Sequence, residues 1–269
     1  MNSNYRTFFE LQREPFASDI ELDNILLTPS LKGVEERIHY AVRLGAIALV
    51  TGELGSGKST ALRYVTGILH PAQHRTLYIT ASSGSILELY RQLLDVLGLD
   101  MGGVSRAFML RRIRQEIVEL VQGKKVKVIL VIDEASLLRL EVFAELHTLI
   151  QFEKDSKPLL PIVLAGQSNL IDNLMYRSSL PLASRIVGRS HIEGVSREQM
   201  HQYLKHHLAV AGVSNNIFDE TAVTAIHQGS GGLFRKANHL ARGAIIVAAK
   251  NKSMTVNADH VRMAATEVF

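Results

Sequence analysis

Residues Gly52-Glu53-Leu54-Gly55-Ser56-Gly57-Lys58-Ser59 have the spacing G-x-x-x-x-G-K-[ST] of a phosphate-binding loop. Glycines let the backbone turn tightly enough for several N–H groups to converge on phosphate oxygens. A helix beginning at Lys58 adds its positive dipole end to the same anion. On this reading Lys58 reaches the β- and γ-phosphates of a bound ATP, the Ser59 hydroxyl ligates Mg2+, and Thr60 closes the binding stretch. A Gly-rich structural turn would share the pattern. The flanking elements separate the two readings, since a strand precedes the loop and a helix follows it.

A second constellation is Val128-Ile129-Leu130-Val131-Ile132-Asp133-Glu134. An apolar run ending in two acids describes a buried strand with carboxylates at its tip. Asp133 suits the Mg2+ shell. Glu134, one residue on, can orient and deprotonate an attacking water. With Lys58 and Glu134 both present, the expected reaction is hydrolysis of ATP to ADP and phosphate. Other chemistries have less support. There is no G-x-S-x-G elbow for a serine hydrolase. His201, His206 and His207 share a helix without the H-x-x-x-H spacing of a zinc pair, and are expected at the surface or facing DNA.

The elements that must position these groups follow from periodicity. Short apolar runs at 46–51, 76–80, 126–132, 161–165 and 185–192 read as strands. Helical stretches at 35–44, 58–69, 86–97, 105–121 and 141–152 alternate with them. Pro15 and Pro29 read as breakers, Gly102-Gly103 as a loop and Ser105 as an N-cap. Such alternation means a parallel sheet covered by helices on both faces. After Ser196 the strand signals stop, and four helices follow at 196–211, 219–228, 233–250 and 257–267. Ser196 and Gln199 have capping-box spacing. The expected fold is α/β, a P-loop NTPase αβα parallel sheet over residues 1–195, followed by a small all-α lid over 196–269.

Composition narrows the class further. The 269 residues include no cysteine, which removes disulfides, Cys-based zinc sites, iron–sulfur clusters and thiol nucleophiles. No apolar run approaches the ~20 residues of a membrane span, and the first residues lack a signal-peptide pattern. A cytoplasmic protein without membrane contact is expected. Net charge is +4, but seven basic residues between Arg106 and Lys127 face only Glu116 and Glu119. That concentration fits either a polyanion partner or a solvated helix face.

Taken in order, the loop, the Asp-Glu strand and the helical tail resemble the AAA+ ATPases, and within them the ExeA/GspA type. The similar residues are Phe8-Phe9, Pro15-Phe16, Leu49–Thr60, Val131–Ala135, Leu164-Ala165-Gly166-Gln167 and Gly231-Gly232-Leu233-Phe234-Arg235. The resemblance spans nearly the whole chain. It implies that Gln167, with Asn169 as the alternative, is the polar sensor of the γ-phosphate. It implies that Arg185, with Arg177 and Arg189 competing, is an arginine finger for a neighbouring subunit. It makes Arg235 the lid arginine that reaches back to the nucleotide. It makes residues 1–44 an adenine-side segment in which Pro15 and Phe16 line the base or simply pack. A finger supplied in trans implies a homo-oligomer, either ring or filament.

Secretion proteins of the ExeA type usually continue past the ATPase, whereas this sequence stops at Phe269. The shorter relatives are the ATPase subunits of transposition systems of the MuB, TniB and TnsC types. The resemblance therefore points to an ATP-dependent regulator of transposition that assembles on duplex DNA and recruits a transposase. Arg111, Arg112, Arg114 and Lys124 are the expected backbone contacts, largely independent of base sequence. The alternatives are a secretion-pathway assembly ATPase and an initiator- or clamp-loader-like ATPase.

Overall fold

Continuous apolar runs leave a strand no polar face, so they pair in the middle of a sheet with helices on both sides. The computed structural model describes residues 4–100 and 105–268. The expected loop at Gly102-Gly103 lies outside the described residues. The chain opens with α1 (Asn4–Phe8), α2 (Pro29–Leu44), β1 (Ile47–Gly52) and α3 (Lys58–Gly67). It continues through β2 (His74–Thr80), α4 (Ile86–Leu97), α5 (Arg106–Val118) and β3 (Lys127–Asp133). Next come α6 (Leu140–Leu149), β4 (Ile162–Gly166), α7 (Asn169–Met175), α8 (Leu180–Ala183) and β5 (Ile186–Ile192). Four helices follow: α9 (Arg197–Val210), α10 (Glu220–Ser230), α11 (Phe234–Lys250) and α12 (Ala258–Val268).

These elements form two compact units. One holds residues 29–52 and 58–192; the other holds 1–28, the turn 53–57 and 193–269. In the first, five parallel strands are ordered β2-β3-β4-β1-β5. All six residues of β1 and all five of β4 are buried. The core comprises Leu130 and Ile132 of β3, Leu164 of β4 and helix residues such as Leu93, Ile113 and Phe143. Each fully buried side chain of this size stabilises by about 1.5–3 kcal/mol relative to exposure. Glu145 of α6 is a buried carboxylate, bonded to the Tyr90 hydroxyl and the Arg106 guanidinium. Burial and that hydrogen bond raise the Tyr90 phenol well above its usual value.

The second unit has a core of its own, built from Met200, Leu204, Phe218, Ile226, Leu240 and Ile245 together with Tyr5, Phe9 and Phe16. Polar ties hold residues 5–16 onto α11. Tyr5 donates to Glu14 at 2.6 Å, Arg242 Nε lies 3.3 Å from Glu14, and Arg242 Nη2 donates to the Phe16 carbonyl at 2.7 Å. Helix α9 starts with the expected capping box: Ser196 Oγ accepts from the Gln199 amide and Gln199 Oε1 from the Ser196 amide.

Along the elements, the secondary structure differs from expectation at four points. Pro29 does not break a helix but begins α2, because the first helical position needs no N–H donor. Ser105 precedes α5 without a side-chain cap bond. Beyond α5 the helix continues as a π-turn over Glu119–Gly123. Helices α7 and α8, seven and four residues long, are too short to show a periodic signal and were not expected.

Candidate nucleotide site

The glycine-rich loop leaves β1 at Gly52 and enters α3 at Lys58. Gly55 and Gly57 have φ of +82° and +103°, values that side chains resist, so these two positions require glycine. Lys58 is buried, and its Nζ donates to the Gly52 carbonyl at 3.0 Å, which folds the ammonium back over the loop. Ser59 and Thr60 are exposed at the first turn of α3. Ser56 Oγ is buried with no hydrogen-bond partner. An orphaned hydroxyl in this glycine-rich loop fits a site built for a phosphate acceptor. Glu53 and Leu54 are exposed at the loop's tip.

Asp133 ends β3 and is 5% exposed. Its Oδ1 accepts the Glu134 amide at 2.9 Å and its Oδ2 accepts the Tyr78 hydroxyl at 2.8 Å. Tyr78 lies on β2, opposite Val131 and two residues before Thr80, the register partner of Asp133. Burial and the hydrogen bond to Asp133 hold the Tyr78 phenol far above its usual pKa, so it stays a donor. Sequence reasoning missed Tyr78, because a diagonal cross-strand pair has no signature along the chain. A Mg2+ ion held by Ser59 and Asp133 would supply positive charge to the β- and γ-phosphate oxygens.

Glu134 turns out of the strand with φ +54°, a conformation uncommon for a side-chain-bearing residue and frequent at functional sites. Strand β4 lies between β1 and β3, with Thr51 opposite Gly166 and Ile132 opposite Leu164. Strand spacing of about 4.8 Å puts the β1 and β3 axes roughly 10 Å apart. Gln167, exposed just past the end of β4, therefore stands on the strand between the loop strand and the acid strand. Asn169 is also exposed, at the start of α7.

Arg185 occupies the opposite end of the sheet. Its carbonyl accepts the amide of Ile47, the first residue of β1, while the phosphate loop leaves from the last. Six strand residues separate the two ends by roughly 17–20 Å. The Arg185 guanidinium meets Asp155 at 2.5 Å, which depresses the Asp155 carboxyl. Arg177 and Arg189 are both exposed.

In the other unit, Arg235 is exposed in the first turn of α11, and its amide donates to the Gly55 carbonyl at 3.2 Å. A Cβ on Gly55 would lie 2.6 Å from Arg235 Cβ, a close approach that also requires glycine. Phe16 is 1% exposed, with its ring stacked on His207 at 5.3 Å and edge-on to Phe218 at 6.1 Å. The ring is enclosed in the core, so it is not available to stack on a base. His207 is likewise buried and not at the surface as expected, because it sits between Phe16 and Tyr203. Burial, then neighbouring His206, lowers its pKa to about 4. Among the described residues there is no cluster of three or more His, Cys, Asp or Glu able to hold a metal ion.

The basic residues of α5 divide in two. Arg106 holds Glu145, and Arg114 donates to the Gln151 carbonyl while lying over the Phe152 ring at 5.0 Å. Arg111 and Arg112 are exposed, as are Lys124, Lys125 and Lys127 beyond the π-turn. Arg114, expected as a DNA contact, is thus engaged inside the unit.

Comparison with known proteins agrees with this geometry. A family model described as an AAA domain matches residues 42–174. Over 268 residues the chain is 30% identical to General secretion pathway protein A of Aeromonas hydrophila, covering 98% of this chain and 48% of that protein. Residues 42–174 thus carry an AAA domain. The chain spans about half the length of the curated relative it matches. Among solved structures, the AAA+ fold is shared with Cdc6p from Pyrobaculum aerophilum, at TM-score 0.74 and 17% identity, covering 94% of this chain and 70% of that one. The Aeropyrum pernix ORC1 protein in complex with DNA follows at 0.69 and 19%, covering 94% and 68%. The Thermotoga maritima RuvB Holliday junction branch migration motor matches at 0.55 and 17%, covering 89% and 68%. Among the described residues, no helix is long and apolar enough to cross a membrane.

Proposed function

We propose that this ATPase is a nucleotide-controlled switch that assembles with copies of itself on duplex DNA and regulates transposition by recruiting a transposase. The observation that carries the DNA reading is the outward basic surface of Arg111, Arg112, Lys124, Lys125 and Lys127. Phosphate contacts need only such cations, so binding is largely independent of base sequence. A solved relative of the same fold is described in complex with DNA, which supports this reading by analogy of fold alone.

Self-assembly is supported by the polarity of the sheet. Lys58, Asp133 and Gln167 gather at the C-terminal ends of the strands, whereas Arg185 stands at the N-terminal end. An arginine so placed acts on a site in a neighbouring copy, where its charge stabilises the transition state. Exposed Met175, Tyr176 and Leu180, just before Arg185 in the chain, suit the contact that such a neighbour would make.

In the assembled state Lys58 orients the triphosphate, Glu134 aims and deprotonates the water, Gln167 contacts the γ-phosphate or that water, and Arg235 responds to nucleotide from the lid. The secretion reading, assembly of an envelope complex without DNA, is favoured by the 30% identity to General secretion pathway protein A. A gel shift on random-sequence duplex tests the choice. Retention with a non-hydrolysable ATP analogue and loss with ADP is expected; no retention in any nucleotide state overturns the DNA reading in favour of secretion.

A further inference from the structure

Glu134 and Gln167 leave the ends of neighbouring strands on separate loops, so something must fix the gap between them. Leu137 donates its amide to the Glu134 carbonyl at 2.9 Å, closing residues 134–137 into one tight turn. Ser136, 8% exposed, is the contact face of that turn. Its Oγ accepts the amide of Gln167 at 3.3 Å, and its carbonyl accepts Asn173 Nδ2 of α7 at 3.3 Å. The approach is close: a Cβ on Gly166 would lie 2.8 Å from the Ser136 amide nitrogen and 3.1 Å from its Oγ. Glycine is thus required at 166 by the backbone of the acid loop, not by a special φ.

We propose that Ser136 is a positioning residue for hydrolysis: it holds the Gln167 side chain in register with Glu134 by fixing the loop that carries it. The inference rests on the reading that Glu134 and Gln167 both act at the γ-phosphate. Ser136 touches neither nucleotide nor water on this account; it acts through Gln167. The Asn173 bond anchors the far side of the turn, so the acid loop is gripped between β4 and α7. A displacement of about 1 Å at a reacting group can cost up to a hundredfold in rate, so a loosened loop should cost about tenfold.

The test is a double-mutant cycle in the full chain with Ser136→Ala and Gln167→Ala, reading steady-state ATPase and nucleotide affinity by calorimetry. Ser136→Ala is expected to lower kcat about tenfold, with KM and nucleotide affinity unchanged. In the Gln167→Ala background the same substitution should cost less than about twofold, because the group it positions is gone. A purely structural serine would instead lower kcat by the same factor in both backgrounds, and that result overturns the inference. If Gln167→Ala alone turns over at the wild-type rate, the reading of Gln167 fails, and the inference with it. Asn173→Ala, which keeps Ser136 intact, provides the independent variant should Ser136→Ala not fold. It is expected to lower kcat several-fold in the Gln167 background alone, and an equal loss in the Gln167→Ala background counts against the proposal.

Discussion

Tyr78→Phe deletes one oxygen and leaves the ring, so it isolates the bond that Tyr78 makes to Asp133. That bond is 2.8 Å long and reaches a carboxylate that is 5% exposed. Hydrogen bonds to charged groups contribute about 1.5–3 kcal/mol. Tyr78 is itself 37% exposed, so water can partly replace the hydroxyl, and a loss at or just below the lower end, about 1–2 kcal/mol, is expected. A loss of that size changes a folding equilibrium by a factor of about 5–30. Asp133 Oδ1 keeps the Glu134 amide, so the carboxylate remains but can rotate about its Cβ. Two readouts should move together. The urea midpoint should fall without a change in slope, and the Mg2+ concentration for half-maximal ATPase should rise several-fold. Tyr78→Phe with wild-type stability and wild-type Mg2+ dependence would falsify the claim that Tyr78 orients this acid.

Other perturbations separate the remaining parts. Lys58→Ala should abolish nucleotide binding in calorimetry, whereas Glu134→Gln should keep affinity and lose turnover by at least a hundredfold; wild-type turnover in either removes the assigned role. Glu for both Arg111 and Arg112 should weaken DNA retention and reduce the salt slope by about two, leaving stability within about 0.5 kcal/mol. Arg114→Glu should chiefly destabilise, since it breaks the Gln151 and Phe152 contacts. His207 is held near pKa 4 in the fold against about 6.5 unfolded. The unfolded chain therefore binds the extra proton first, so stability should fall as pH drops from about 6.5 to 4, by roughly 3 kcal/mol in all. His207→Phe should flatten that window in chemical denaturation, and an unchanged acid limb would exclude His207 as its source.

The centre of the sheet was legible because its strands are buried on both faces: the runs at Ile47–Gly52 and Lys127–Asp133 carry almost no alternation to confuse the pattern. The phosphate loop and the Asp133-Glu134 pair were legible because their chemistry needs fixed residue types at fixed spacing. What escaped depends on contacts between residues far apart in the chain. Tyr78 reaches Asp133 across a strand pair, Ser136 reaches Gln167 across a loop, and His207 is buried by Phe16 from the opposite end of the sequence. Arg106 and Arg114 looked like part of a charge cluster, yet a buried glutamate and a backbone carbonyl engage them. Residues 5–16 pack with the C-terminal helices, a long-range pairing that local periodicity cannot report.

Complementation between two inactive variants would show whether a neighbour finishes the site. Glu134→Gln and Arg185→Ala are each expected to bind ATP and fail to hydrolyse it. Mixed in equal amounts and allowed to exchange, they should regain ATPase activity, up to about a quarter of the wild-type rate, since a quarter of random head-to-tail interfaces pair an intact Glu134 with an intact Arg185. No recovery in the mixture, or full activity of Arg185→Ala alone, would contradict hydrolysis shared between copies.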